Sequence, residues 1–167
     1  VFRIKQRCEE NLEMNEKIVM AANEYDRIDG KNAYRSSVKR LTLGAPELEE
    51  HKSMPVAAQI WKEQADGTLA VSCELPVHQV FDLMILLSRT LLHFKEAYRL
   101  PLLYDPDDPI IERVGIQGDA MSVAVCTDNP DINGDILEFS QSLSDLGELT
   151  GERLRALARI LQELECY

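Results

Sequence analysis

PVHQVFDLMILLSRTLLHFKEAYR, from Pro76 to Arg99, is the stretch that decides how the chain is read. Pro76 suits the first turn of a helix, where its missing N–H costs nothing. From Val80 to Phe94 most residues are Leu, Ile, Val, Met or Phe. Wound at about 3.6 residues per turn, they cover nearly the whole circumference. The sequence therefore predicts one long helix, over about residues 77–98, buried by its neighbours. It is too short, and too interrupted by Asp82, Arg89 and His93, to span a bilayer.

The interruptions have a pattern. His78, Asp82, Arg89, His93 and Glu96 fall on one narrow stripe of the helix, flanked by Ile85 and Leu86. One reading is a solvent-facing edge with helix-stabilising charge pairs. The other is the wall of a cleft, where Arg89 holds an anion and His93 with Glu96 moves a proton.

Upstream of the helix, Val56 to Leu75 reads as two strands about Ala65-Asp66-Gly67-Thr68, because Asp-Gly favours a tight hairpin turn. In the second strand Leu69, Val71, Cys73 and Leu75 alternate with Ala70, Ser72 and Glu74. That alternation predicts the first set inward and the second outward. Trp61 reads as core or sheet-face packing. Lys17 to Ala22 is a short apolar run and predicts a strand; Arg40 to Leu43 predicts another. Gly44 to Pro55 is a polar loop whose His51 reads as a surface histidine. Between them lies NEYDRIDGKNAYR, where Arg27, Lys31, Arg35 and Lys39 recur every four residues. The series is either a solvated connection or a small basic surface for an anion. The first thirteen residues read as an N-terminal arm or short helix, and 14–167 as a single domain.

Downstream, LPLLYDPDDP (Leu100 to Pro109) cannot continue a helix, and its aspartates read as turn formers rather than cation ligands. Ile110 to Ile116 and Ala120 to Thr127 predict a second hairpin about Gln117-Gly118-Asp119, with Met121, Val123 and Val125 inward. TDNPDINGD resembles part of a calcium loop, but the twelfth position is Ser140 instead of a bidentate Glu. It reads as the start of a helix, capped by Asn129 or Asn133. Two C-terminal helices follow, Ile136 to Leu146 and one from Thr150, with Gly147 closing the first. Strands arriving in hairpins, with no βαβ alternation, predict an α+β fold. The expected architecture is a mainly antiparallel sheet, the long buried helix, and two C-terminal helices packed on the sheet.

Composition bounds the function. A hydrophobic fraction of 45% supports a real core, and the net charge of −11 argues against nucleic acid as the main partner. That charge sits wholly between Leu100 and Glu152, which hold twelve acids and one base, Arg113. Cys8, Cys73, Cys126 and Cys166 are far apart, with no zinc spacing, and imply reduced thiols in a cytoplasm. There is no metal or cofactor motif, no nucleophile elbow and no phosphate loop.

Four phrases together, NEYDRIDGKNAY, FKEAYRLPLLYDPDDPIIERVGIQGDAM, VCTDNPDI and GERLRALARIL, make the chain resemble a family of small bacterial proteins of unknown function. The resemblance runs over about residues 17–164. It implies a bacterial, cytoplasmic protein and supplies no activity, cofactor or catalytic residue. Two classes of function follow. One is a non-enzymatic binding or protein-interaction domain, self-associating or with a protein partner and away from membranes. The other is an anionic-ligand domain or small enzyme. Its site would join Asp26, Arg27 and Asp29 to Arg89, His93 and Glu96, with Tyr104, Asp105 and Asp119 nearby and His93 as the proton carrier. An exposed apolar patch or a symmetric contact marks the first class; a pocket marks the second.

Overall fold

The structure is a computed structural model that describes residues 17–29 and 36–165. The expected N-terminal arm, and Lys31, Tyr34 and Arg35 of the early loop, lie outside the described residues. The chain divides into two compact units, residues 1–84 and 85–167. The architecture is α+β, as the hairpin order predicts.

In the first unit β1 (Ile18–Asn23), β2 (Val38–Gly44), β3 (Ala57–Glu63) and β4 (Leu69–Pro76) form a sheet in that order. Every neighbouring pair is antiparallel. The β3–β4 turn is the predicted one. Gly67 takes φ 84°, which favours glycine, and Asp66 Oδ1 accepts from the Thr68 N–H at 3.0 Å and the Thr68 hydroxyl at 2.6 Å. At Gly44 a Cβ would overlap the Lys17 carbonyl oxygen, so only glycine lets β1 approach there.

The face pattern of β4 departs from the alternation in the sequence. Ile60 pairs with Cys73 but Trp61 pairs with Val71, so Ser72 is an extra residue, a β-bulge. A one-residue slip exchanges the faces of all that follows. Cys73 is therefore exposed and Glu74 is buried, the reverse of the expectation. The inward face of the sheet carries Ala57, Gln59 and Trp61 from β3, Thr42 from β2, and Glu74.

The long helix α1 (Val77–Glu96) forms where predicted and runs into a 3-10 turn, Ala97–Arg99. Its expected burial is not found: no residue along it is buried. Phe81 is 59% exposed, Leu83 53% and Leu92 45%. Residues 85–96 of α1 belong to the second unit, and part of their contact with it is polar. Arg89 on the polar stripe forms an ion pair with Glu112, and His93 bonds to the backbone of Leu103. Phe94 packs edge-on against Phe139, while Phe81, Leu83, Leu86, Leu87 and Leu92 are left exposed.

In the second unit β5 (Ile110–Ile116) and β6 (Asp119–Ala124) make the predicted hairpin, with Gly118 at φ 107°. Val123 on β6 is buried, as expected of the inward face. Helices α2 (Ile132–Asp145) and α3 (Gly147–Leu164) follow. Helix α2 starts earlier than the apolar periodicity suggests, because the Asn129 side chain folds the chain into it. Its Oδ1 accepts from the Asp131 N–H at 3.0 Å, and its amide donates to Asp135 at 2.8 Å. Gly147 opens α3 instead of closing α2. Tyr104, Ala97 and Ile136 complete the buried residues of this unit.

Candidate functional site

The most connected polar group in the first unit is the Glu74 carboxylate. Its side chain is wholly covered. A charge taken from water must be paired or hydrogen-bonded to persist. Glu74 Oε2 accepts from the Glu47 N–H at 2.7 Å and the Gln59 amide at 2.9 Å; Oε1 accepts from the Leu48 N–H at 3.0 Å. The fourth partner is His51, whose Nδ1 lies 3.2 Å from Oε1. Behind Glu74 the chain of bonds continues across the sheet. The Thr42 hydroxyl donates to Gln59 Oε1 at 2.8 Å, and the Trp61 indole donates to Thr42 Oγ1 at 2.8 Å. Gln59 also donates to the Ala45 carbonyl at 3.2 Å.

Three adjacent strands thus project polar groups to one place, and the loop of residues 45–55 closes over them. Burial pushes the Glu74 carboxyl up, but the donors from Glu47, Gln59, Leu48 and His51 together outweigh it and hold it below its ordinary value. Glu47 moves the other way, raised by its own burial and then by the charge of Glu74.

The geometry fixes His51. A carboxylate only accepts, so Nδ1 carries the proton and donates to Glu74. Nε2 points to the exposed side, 3.8 Å from the outlying Glu50 carboxylate. The His51 side chain is 18% exposed. An imidazole held by a buried carboxylate on one nitrogen, with an exposed carboxylate 3.8 Å from the other, has the arrangement of an oriented acid–base group. Reading His51 as a loose surface histidine missed this. The missing signal was the bulge at Ser72, which turns Glu74 toward it.

The residues expected from sequence are placed as follows. Asp26 Oδ2 accepts from Lys39 Nζ at 2.7 Å, and Lys39 also lies 3.8 Å from Glu63. The Lys39 hydrogen bond lowers the Asp26 pKa and its reciprocal raises that of Lys39. Arg27 donates to Glu24 at 3.2 Å on an exposed surface, and Asp29 is half-buried at the end of the same turn. In the second unit Arg89 is paired with Glu112, and its Nε is buried without an acceptor among the described residues. His93 Nε2 donates to the Leu103 carbonyl at 2.8 Å. Leu103 takes a left-handed φ of 64°, and the next residue, Tyr104, is buried and donates to Asn133 at 3.1 Å. Glu96 is exposed at the end of α1. Asp105 accepts from the Asp107 N–H at 2.9 Å, and Asp119 from the Ala120 N–H at 2.8 Å, both as exposed turn residues. His93 and Tyr104 thus meet at one loop, where His93 bonds the backbone and Tyr104 reaches the Asn133 side chain. Among the described residues no cluster of His, Cys, Asp or Glu is arranged to hold a metal ion.

A family model described as a family of unknown function (DUF6530) matches residues 9–167. The chain belongs to this family. The match takes in residues 9–84 of the first compact unit, all of the second and every residue of the Glu74 network, and it begins upstream of the stretch on which the resemblance rests. No curated protein and no solved structure matches the chain. Among the described residues no helix is long and apolar enough to cross a membrane.

Proposed function

We propose that the protein is a non-enzymatic interaction domain of a bacterial cytoplasm, with the exposed apolar run of α1 as its contact surface for another protein chain. One observation carries the reading. The helix richest in large apolar residues leaves Phe81, Leu83, Leu86, Leu87 and Leu92 between 40% and 59% exposed. Exposed apolar side chains concentrated on one element mark an interaction surface, whereas scattered ones do not. The polar stripe of the same helix adds support: Arg89 and His93 are engaged by Glu112 and Leu103, which removes them from free recognition of an anion. The net charge of −11 favours a protein over a nucleic acid as partner.

A second reading is a small enzyme or anionic-ligand domain. It is favoured by the Glu74-oriented imidazole of His51, which takes over the proton-carrying role that the sequence gives to His93. Native mass spectrometry of gently purified protein, compared with its denatured mass, separates the two. The interaction reading expects a partner chain, or a multiple of 18.9 kDa, that the Leu83→Gln/Leu87→Gln variant loses while keeping its fold. A small bound mass lost on denaturation, unaffected by that variant and weakened by His51→Gln, overturns it in favour of the second reading.

A further inference from the structure

We propose that Arg40 binds a small carboxylate at the rim of the first unit's polar sheet face. Two charged groups lie on that inward face, and their surroundings differ. Glu74 has four donors. Arg40, on β2, has no acceptor and no ion pair among the described residues. It shares the face because it stands directly opposite Trp61 of β3, which is buried there. The chain of bonds from Glu74 stops short of it, at the Trp61 indole, which donates to Thr42.

Arg40 is half-buried, and its Nε is sealed from water without a partner. Nη1 and Nη2 also lack partners but are not sealed. A buried donor left unpaired is costly, and a guanidinium that has lost part of its water attracts an anion more strongly than an exposed one. Arg89 is the other arginine with a buried, unpaired Nε among the described residues, but Glu112 supplies its counter-charge. Arg27 is engaged by Glu24. Arg40 is thus the guanidinium left open. Its neighbours set the ligand. On the side away from Trp61, the edge strand β1 brings Asn23 directly opposite Arg40, and Asn23 is exposed. Side chains so placed start about 5 Å apart, so the Asn23 amide can donate to the same ligand. A planar carboxylate takes both amino groups of a guanidinium as a bidentate pair and still accepts from an amide. The net charge of −11 selects a singly charged ligand over phosphate or a polyanion. The site uses neither α1 nor His51.

Nitrogen–proton correlation spectra of the full chain test this, with the Arg40 Nε–H signal identified by its loss in Arg40→Lys. Sodium acetate replaces sodium chloride stepwise at constant ionic strength. The expected result is a saturable shift of that signal with acetate, and a weaker response to inorganic phosphate. Asn23→Ala is expected to weaken acetate binding about fivefold, the worth of one hydrogen bond. The absence of a saturable shift with acetate overturns the proposal. Tighter binding of phosphate overturns the carboxylate assignment. Should Arg40→Lys fail to fold, the backbone amides of Asn23, Arg40 and Trp61 in the wild type report the same titration. A response confined to other residues overturns the site. An acetate response that His51→Gln abolishes assigns the anion to His51 and overturns it too.

Discussion

The two units use histidine in opposite ways. In the first, His51 gives Nδ1 to a buried carboxylate and leaves Nε2 facing outward. In the second, His93 gives Nε2 to the backbone carbonyl of Leu103, itself left-handed, and so holds that loop. The first arrangement fixes the orientation of an imidazole beside a buried carboxylate; the second uses one to hold a loop. Their neighbours differ in the same sense. Glu74 has four donors and is wholly covered, while the Arg89–Glu112 pair is about one-third exposed on both sides. A residue type that carries chemistry is thus no guide to which site is built for it. Burial and the count of bonds to the partner group are better guides.

The largest test of this difference is stability. Glu74→Ala leaves the Glu47 and Leu48 N–H groups, the Gln59 amide and His51 without their acceptor. It is expected to cost about 4 kcal/mol in urea unfolding, since breaking a buried charged network strands every remaining partner. Arg89→Ala is expected to cost only about 1 kcal/mol, because water and salt screen a partly exposed pair. Equal losses from the two variants break the contrast.

Acid titration sharpens it. The folded Glu74 carboxyl is held below its ordinary value of 4.5. A group depressed in the folded state contributes its full stability above its unfolded pKa and loses it as pH falls through the folded one. Wild-type stability is therefore expected to decline from about pH 4.5 downward, and Glu74→Gln to have a lower but flatter acid limb. Glu47, raised by burial and by Glu74, opposes this and softens the slope. An acid limb as steep in Glu74→Gln as in the wild type assigns the effect to other carboxylates, with Asp26 beside Lys39 the first to examine.

What the sequence could show followed from local rules. Asp66-Gly67 and Gly118 mark both hairpins, because turn geometry is a property of a few adjacent residues. The existence of α1 is likewise written in its periodicity. What stayed hidden depends on partners. The all-round apolar surface of α1 argues for burial only if something covers it, and no period reveals that Arg89 and His93 will take the inward side. Glu74 is the sharpest case. Strict alternation puts it outside, and one extra residue at Ser72, with no Gly or Pro to announce it, puts it inside. The candidate site was invisible for that single reason, and His51 with it. The expected cluster gathered residues by type from distant segments, and many of them serve the turn or strand they sit on.

The Trp61 indole offers a smaller perturbation of the first region. Trp61→Phe keeps a ring in the core but removes the donor to Thr42, two bonds away from Glu74. The expected loss is about 2 kcal/mol, from the missing hydrogen bond and the smaller side chain together. If the network acts as a unit, combining Trp61→Phe with Glu74→Gln costs less than the two losses added, because the second change meets a network already broken. Strict additivity reduces the network to independent bonds.

The finest test changes no stability at all. Neutral imidazole carries one proton, and its location follows from what each nitrogen faces. Glu74 can only accept, so neutral His51 is expected as the Nδ1–H form; the Leu103 carbonyl can only accept, so neutral His93 is expected as the Nε2–H form. Long-range nitrogen–proton correlation spectra distinguish the two directly. The pair should appear as opposite tautomers in one spectrum, and Glu74→Gln should let His51 relax to a mixture while His93 stays unchanged. A His51 that is an Nδ1/Nε2 mixture in the wild type would mean that Glu74 holds the loop backbone alone. The oriented imidazole, and with it the second functional reading, would then lose its geometric basis, while the interaction surface on α1 would be untouched.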